Sequence, residues 1–252
     1  MTFAVIDDEG TTAKAIAGTP FTDPEYTGKE YALEDVRLLA PTLPSKVVAV
    51  GRNYADHVAE VFKQSSEHLP PTIFIKPSTA VVGPGAAIKI PEYATGVEFE
   101  GELALVVGVP CKNVKAADWK SVIRGVTIIN DVSSRDLQFA DGQWARAKGM
   151  DTFGPIGPWI ETDLEKFDFA NLPIKAHHTH NGVTETKQDS NSNQMIKSVG
   201  EMVEWVSESF TLLPGDVIAT GSPAGTAEMV PGDHIEVEIP GIGKLGNPVE
   251  RA

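Results

Sequence analysis

The stretch VEFEGELALVV, residues 97–107, places three glutamates at the start of an apolar run, and the architecture follows from it. Its composition is typical of a β-strand. Side chains of a strand alternate between its two faces, so Glu100 and Glu102 point to the same side. A second apolar run, GVTIIN at residues 125–130, also predicts a strand and is followed by Asp131. If the two strands lie side by side, three carboxylates meet at their ends.

Three carboxylates at strand ends are typical of a site for Mg²⁺ or Mn²⁺. Both ions prefer oxygen ligands and keep several waters, which leaves coordination positions open for a substrate. The alternative is that Glu100 and Glu102 face solvent on a half-buried strand, which is the common role of such a pair. Two polar strings, NDVSSRDLQ at residues 130–138 and KGMDTFGPIGPW at residues 148–159, favour the metal site because they crowd polar groups between apolar strands.

Composition limits the function classes. The chain has 252 residues, of which 22% are charged and 41% hydrophobic, as expected for a soluble protein that folds throughout. Its net charge of −14 disfavours binding to nucleic acids or to an anionic membrane, and an anionic substrate would need a local cation. The single cysteine, Cys111, excludes an intrachain disulfide. Because no signal-like or membrane-spanning run is present, we expect a cytoplasmic protein.

Strand signals outnumber helix signals and show no regular βαβ order, which predicts an α+β protein that is mostly β. A leading hairpin is expected in residues 3–17, around the turn at residues 8–10. Prolines and glycines before a new strand at residues 46–51 divide the chain into a small N-terminal domain, 1–44, and a larger domain, 45–252. Further strands are predicted at 72–76, 86–90, 101–109, 216–219 and 234–238, a hairpin around 181–182, helices at 53–62, 116–124 and 193–213, and a Gly-rich segment at the C-terminus.

Five motifs together resemble the fumarylacetoacetate hydrolase superfamily, over about residues 45–252. The resemblance implies a mixed β-roll, usually a homodimer, which in many members follows a small N-terminal domain. It also implies that Mg²⁺ or Mn²⁺ is held by Glu100, Glu102 and Asp131, the residues that the strand argument brings together. The motifs are GRNYADHVAE at 51–60, EGEL at 100–103, NDVSSRDLQ at 130–138, KGMD at 148–151 and TGSPAG at 220–225.

Members of this superfamily act on short 2-oxo or enol carboxylates. The resemblance therefore implies metal-dependent decarboxylation or carbon–carbon hydrolysis of small 2-oxo carboxylates such as oxaloacetate and acylpyruvates. An alternative is an isomerase or decarboxylase of dienoic diacids of the 2-hydroxyhepta-2,4-diene-1,7-dioate type, from aromatic breakdown. A third hypothesis is a metal-binding member without catalysis that serves as an assembly partner, although the intact motifs argue against it. The fold alone does not choose among these.

The candidate catalytic residues are His57, Glu60 and Lys148. On a helix, a glutamate three residues after a histidine can orient the imidazole as a general base, although such a pair is commonly just exposed. Hydrolase and decarboxylase members resemble this chain in having the pair, on a lid segment. Lys148 would add a positive charge near the substrate's 2-oxo oxygen, unless it is a surface lysine, and Asp151 is expected to orient it.

The candidate substrate-binding residues are Arg52, Lys76, Arg135, Gln138 and Ser222. An arginine can bind a carboxylate through two parallel hydrogen bonds and an amide can hold a second oxygen, although Arg135 could instead be a structural ion-pair partner. Lys76 would hold the lid or an anion, unless it is a surface lysine. Ser222 replaces the more usual threonine of the family motif and keeps its hydroxyl.

Three histidines near the predicted hairpin raise the possibility of zinc. Alternation places His178 and His180 on one face of a strand and His177 on the other, and no cysteine is near. We therefore do not expect a zinc site.

Overall fold

The structure is a computed structural model that describes residues 1–7 and 9–252. Strands dominate it, and helices are short. The first strands are β1 (Phe3–Ile6), β2 (Thr12–Ala17), β3 (Glu25–Ala32), β4 (Val47–Gly51), β5 (Thr72–Lys76), β6 (Val81–Val82), β7 (Ile88–Ile90), β8 (Val97–Glu98) and β9 (Gly101–Val107). They are followed by β10 (Ile123–Asn130), β11 (Ser133–Ser134), β12 (Gly154–Glu161), β13 (Pro173–His180), β14 (Val183–Asn191), β15 (Val217–Ala219), β16 (His234–Ile239) and β17 (Gly243–Arg251). The α-helices are α1 (Ala55–Phe62), α2 (Arg135–Asp141), α3 (Ala145–Lys148) and α4 (Val199–Ser209).

A seven-stranded sheet, in the order β5-β4-β15-β9-β10-β12-β6, packs against a five-stranded sheet in the order β14-β13-β16-β17-β7. Every residue of β9 is buried, which explains its unbroken apolar composition. The main core lies between these two sheets and α4, and a smaller cluster covers the other face of the seven-stranded sheet. The architecture is mostly β with a curled mixed sheet and no regular βαβ order, as the sequence predicts.

The leading hairpin is confirmed, because β1 and β2 pair antiparallel. Of its predicted turn, Asp8 lies outside the described residues. A third strand, β3, completes this sheet and was not predicted, because all eight of its residues are exposed and lack an apolar pattern. The hairpin at Asn181-Gly182 is also confirmed, since both residues adopt the positive φ angles that its tight turn requires.

Two helix predictions are wrong in extent. Helix α4 begins only after Ser198, whose hydroxyl accepts a hydrogen bond from the Glu201 backbone N–H while the Glu201 carboxylate binds back to Ser198. The predicted apolar spacing ends at Leu213, but Leu213 is exposed, and the neighbouring Leu212 is buried and bridges to Cys111 in an extended segment. Residues 116–122 form a 3₁₀-helix, and strand β10 begins at Ile123.

The C-terminal glycine-rich segment is a nine-residue strand, β17, where we expected no strand. Alternate residues Leu245, Asn247 and Val249 are buried, so the period-two pattern is present but includes an asparagine. Among the described helices, none is both long and apolar enough to cross a membrane.

Candidate active site

Three buried carboxylates lie together where β9 begins and β10 ends. The two strands pair antiparallel with Glu102 opposite Ile129, and the Asp131 N–H donates a 2.8 Å hydrogen bond to the Glu100 carbonyl. This register brings carboxylate oxygens of Glu100, Glu102 and Asp131 within 4.8 Å of one another. The three side chains converge as the alternation argument predicts, and all are buried rather than facing solvent.

Two buried lysines balance part of this negative charge. The Lys148 ammonium lies 2.8 Å from Glu100 Oε2 and 2.9 Å from Asp131 Oδ2, and it also donates to the Ser133 hydroxyl. The Lys76 ammonium pairs with Asp131 and donates to the Val132 carbonyl. Neither is a surface lysine, since both are almost completely buried. Burial lowers the pKa of Lys148, but Asp131 and Glu100 outweigh burial and raise it overall, so Lys148 stays charged.

The charge of Glu102 is not balanced in this way. Burial raises its pKa well above the ordinary value, and the neighbouring Asp131 and Glu100 carboxylates raise it further. Its Oε2 accepts a 2.7 Å hydrogen bond from the Gly221 N–H. Burial also raises the pKa of Glu100, but Lys148 and Arg135 outweigh burial and lower it overall. An all-oxygen set with one unbalanced carboxylate fits a hard divalent cation such as Mg²⁺ or Mn²⁺.

His57 stands between the carboxylate triad and Glu60. The ring is buried, with Nε2 3.7 Å from Glu100 Oε1 and Nδ1 3.7 Å from Glu60 Oε2. Both separations exceed a hydrogen bond, and Nδ1 has no hydrogen-bond partner within the described part of the chain. Glu60 accepts hydrogen bonds from the Gly225 N–H at 3.0 and 3.1 Å. Burial raises the pKa of Glu60, but His57 and Gly225 outweigh burial and lower it, so Glu60 is an anion facing the ring.

Arg135 is held by carboxylates on two sides. Its Nε donates a 2.8 Å hydrogen bond to Glu98, and its Nη1 lies 2.6 Å from Glu100 Oε1. The latter contact is an ion pair without hydrogen-bond alignment, because Glu100 Oε1 has no hydrogen-bond partner among described atoms. Nη1 donates instead to Gln138 Oε1 at 2.8 Å. Arg135 therefore has the ion-pair partners that the structural alternative requires. Its hydrogen bond to Gln138 places that amide beside the triad.

Eight of the eleven predicted site residues line one cleft, whose empty volume, including the part open to solvent, is about 250 Å³. The other three lie beside this cleft: Asp131 pairs with Lys148, Lys76 pairs with Asp131, and Glu60 Oε2 lies 3.7 Å from His57 Nδ1. The eight are Arg52, His57, Glu100, Glu102, Arg135, Gln138, Lys148 and Ser222.

Several residues of the site were missed. Ser133 binds Lys148, Gln188 donates a 2.8 Å hydrogen bond to Ser222, and Phe62 and Trp144 line the cleft. Ser133 lies inside a quoted motif and could have been found there. Gln188 lies in the exposed strand β14 with no such signal. The prediction that Asp151 orients Lys148 is wrong, because Asp151 is exposed and the ammonium binds Glu100, Asp131 and Ser133 instead.

The histidines of β13 divide as predicted. His178 and His180 share one face, where both bind the buried Asp233 carboxylate at 2.8 and 2.7 Å, and His177 faces the other side. The sequence argument missed Asp233 as their partner because it lies 53 residues further along the chain. Each of the two histidines lies within hydrogen-bond distance of a different oxygen of Asp233, and Oδ2 also accepts a hydrogen bond from the Val230 N–H.

Family models match most of the chain. The model described as fumarylacetoacetate hydrolase, C-terminal, matches residues 46–250, and one described as Rv2993c-like, N-terminal, matches residues 1–41. A curated relative, the mitochondrial oxaloacetate tautomerase Fahd2a of Rattus norvegicus, is 39% identical over 85% of this chain and 69% of its own length.

Solved structures are also similar. A crystal structure of Cg1458 with inhibitor is 74% identical, with a TM-score of 0.95 over 96% of this chain and 90% of that one. The 2-hydroxyhepta-2,4-diene-1,7-dioate isomerase of Mycobacterium marinum is 50% identical, with a TM-score of 0.84 over 95% and 88% of the two chains. The maleylpyruvate hydrolase of Sphingobium sp. SYK-6, in complex with manganese(II) and pyruvate, is 31% identical, with a TM-score of 0.74 over 89% and 77%.

Proposed function

The chain belongs to the fumarylacetoacetate hydrolase family, and on that premise we propose that it cleaves the C3–C4 bond of small 2-oxo carboxylates in a divalent-metal-dependent reaction. The bond would break by decarboxylation of oxaloacetate or by hydrolysis of acylpyruvates. The proposal rests on one observation, the buried carboxylate triad, of which Glu100 and Glu102 line a single cleft together with His57 and Lys148.

Glu100, Glu102 and Asp131 would hold Mg²⁺ or Mn²⁺. When bound, such an ion would supply Lewis-acid polarisation of the substrate's 2-oxo group. The unbalanced charge of Glu102 supports this assignment, because a cation beside it would remove the repulsion from the other two carboxylates. The description of the Sphingobium hydrolase, in complex with manganese(II) and pyruvate, supports it from a similar protein.

The side chains of the cleft can be given roles in either reaction. In hydrolysis, His57 would take a proton from the water whose oxygen adds to the C4 acyl carbon, and the Glu60 carboxylate, 3.7 Å from Nδ1, would stabilise the protonated imidazole. The C3–C4 bond then breaks, its electron pair stays on C3 in conjugation with the 2-oxo group, and C3 takes up a proton to give pyruvate. In decarboxylation the same electron pair is left when CO₂ departs, and no water is consumed. Lys148, fixed by two carboxylates, would supply positive charge where the negative charge develops.

The test is a spectrophotometric assay of oxaloacetate and acetylpyruvate consumption with Mg²⁺, with Mn²⁺ and with EDTA. We expect consumption of at least one substrate that EDTA abolishes and added metal restores. The variant Glu102→Ala should be inactive, whereas Glu208→Ala, which removes an exposed glutamate of α4, should keep wild-type activity. Activity that survives EDTA, or a fully active Glu102→Ala, would overturn the proposal.

A second candidate is isomerisation of a dienoic diacid, which the name of the 50% identical Mycobacterium marinum protein favours. Turnover of 2-hydroxyhepta-2,4-diene-1,7-dioate with no turnover of oxaloacetate or acetylpyruvate would select it. Metal binding without turnover of any of the three would instead select the non-catalytic hypothesis.

We further propose that residues 1–44 form a domain separate from residues 45–252 and that the protein is a homodimer. Strands β1 to β3 make a sheet of their own, and the two family models meet between residues 41 and 46, which supports the division. Sedimentation equilibrium tests the dimer, because a single species at the monomer mass of 27.0 kDa would contradict it.

A further inference from the structure

Arg52 differs from the other cations of the cleft because no carboxylate of the described chain balances its charge. Lys148 is paired with Glu100 and Asp131, and Arg135 with Glu98 and Glu100. The contacts of the Arg52 guanidinium are with two aromatic rings, Phe62 at 5.8 Å and Trp144 at 5.4 Å from the ring centroids. Its Nε is buried and has no hydrogen-bond partner among the described residues.

The local structure holds Arg52 in this position. It follows strand β4 directly and has a φ angle of 60°, in the left-handed region that residues other than glycine rarely adopt. Phe62 and Trp144 stack with centroids 6.1 Å apart. Trp144 packs against the backbone of Gly51, where a Cβ atom would lie only 2.4 Å from the ring. Backbone strain of this kind clusters at functional sites, because the surrounding contacts must maintain it.

Aromatic rings stack on the face of a guanidinium but offer few hydrogen-bond acceptors to the N–H groups at its edge. A guanidinium carries five N–H donors in its plane, and stacking leaves them free for an anion. An arginine fork matches a carboxylate through two parallel hydrogen bonds. In a chain with a net charge of −14, an anionic substrate gains most from a cation that is not already neutralised.

We propose that Arg52 binds a second carboxylate of the substrate, at the end remote from its 2-oxo acid group, so that the cleft selects short 2-oxo dicarboxylates over acylpyruvates. This inference rests on the proposed function and specifies its substrate class. The 2-oxo acid end would bind at the triad, and Arg52 lines the same cleft as Glu100 and Glu102.

The experiment compares oxaloacetate, which has the second carboxylate, with acetylpyruvate, which has a methyl ketone in its place. For Arg52→Gln we expect the ratio of kcat/KM for oxaloacetate to that for acetylpyruvate to fall by about 10- to 100-fold, the range for a lost charged hydrogen-bonded pair. Arg52→Lys keeps the charge without the fork and should give an intermediate ratio. The matched control is Arg37→Gln, at an exposed arginine outside the cleft, which should keep the wild-type ratio.

A binding measurement separates failure of this inference from failure of the proposed function. Calorimetric titration with malate and with pyruvate, in the presence of Mg²⁺, needs no turnover. We expect Arg52→Gln to weaken malate binding by at least 10-fold more than pyruvate binding. An unchanged oxaloacetate-to-acetylpyruvate ratio in Arg52→Gln, or an equal loss of malate and pyruvate binding, would overturn the role of Arg52. If the wild-type protein consumes neither substrate, the proposed function fails and the malate titration alone decides this inference.

Discussion

Replacing Glu102 by glutamine should stabilise the metal-free protein and remove its response to metal. Glu102 is the carboxylate of the triad whose pKa burial and its two acidic neighbours raise. Without it, the remaining carboxylates Glu100 and Asp131 each keep at least one cationic partner within the protein. Glutamine can still accept the hydrogen bond from the Gly221 N–H through its amide oxygen.

The expected change in Tm follows from removing a buried charge. A buried group that is not fully compensated costs ~1–3 kcal/mol. Because 1 kcal/mol shifts the Tm of a protein of this size by about 2–4 °C, Glu102→Gln should melt roughly 2–12 °C above wild type in EDTA. A metal at a hundredfold excess over its Kd stabilises by about 2.7 kcal/mol, which would raise the wild-type Tm by about 5–11 °C. The variant should show no such rise.

The effect in EDTA has a definite pH dependence. Burial and the two neighbouring carboxylates raise the pKa of Glu102 in the folded protein, whereas in the unfolded chain it is about 4.5. As far as Glu102 alone is concerned, the wild-type protein is therefore most stable below pH 4.5, where Glu102 is protonated in both states. Its free energy of unfolding falls as the pH rises toward the folded-state pKa of Glu102. The stability advantage of Glu102→Gln should therefore be larger at pH 8 than at pH 5. The assay is thermal unfolding by circular dichroism with EDTA and with Mn²⁺, with Glu208→Gln as the surface control. A variant that melts below wild type in EDTA at pH 8, or that keeps the metal response, would refute this reasoning.

Three further predictions concern the parts around the triad. Glu60→Gln removes the anion beside His57 and should lower kcat by about 10²-fold or more with little change in Tm, measured by steady-state kinetics and thermal melting; an unchanged kcat would contradict the general-base role. Gly51→Ala places a Cβ 2.4 Å from the Trp144 ring and should destabilise the fold by ~1–3 kcal/mol in urea unfolding, whereas alanine at Gly142, where nothing lies within 4 Å but φ is +68°, should cost only about 1 kcal/mol. Asp233→Asn leaves His178 and His180 without their anionic partner and should lower the free energy of unfolding by ~1–3 kcal/mol. Metal-dependent turnover should persist. Loss of turnover in a folded variant would link this cluster to the active site.

Local periodicity predicted the convergence of the triad because strand alternation and strand ends are properties of short stretches. The shared face of Glu100 and Glu102 follows from the two-residue repeat of a strand. The position of Asp131 beside them follows from the antiparallel pairing of two neighbouring strands. The residues that contact the site from distant parts of the chain could not be predicted from such local patterns. Lys76 reaches Asp131 across 55 residues, and Gln188 reaches Ser222 across 34, because the order of strands in the sheets sets both contacts.

The errors at helix α4 and strand β17 have a related cause. The helical spacing of apolar residues continues past Ser209 to Leu213, but Leu213 is exposed, and it is Leu212, bridged to Cys111 in an extended segment, that is buried. Strand β17 contains Gly246 and Pro248, which usually indicate a turn, and it is held by pairing with β16 and β7 on both sides. In both places the contacts with distant segments outweigh the local preference of the chain.

The cations of the cleft divide between two tasks, and the division explains how the site can exist before metal or substrate arrives. Lys76 and Lys148 pair with Asp131 and Glu100 inside the protein, so we expect the fold to form without metal, unlike sites whose ligands repel one another unaided. The same lysines reduce the field that attracts a cation, which favours an exchangeable ion over a permanently bound one. Arg52 takes no part in that balance, and its stacked guanidinium keeps its charge for an anion. In a chain with a net charge of −14, a cation already paired with protein carboxylates would contribute less than Arg52 to binding the two carboxylates of the proposed substrate.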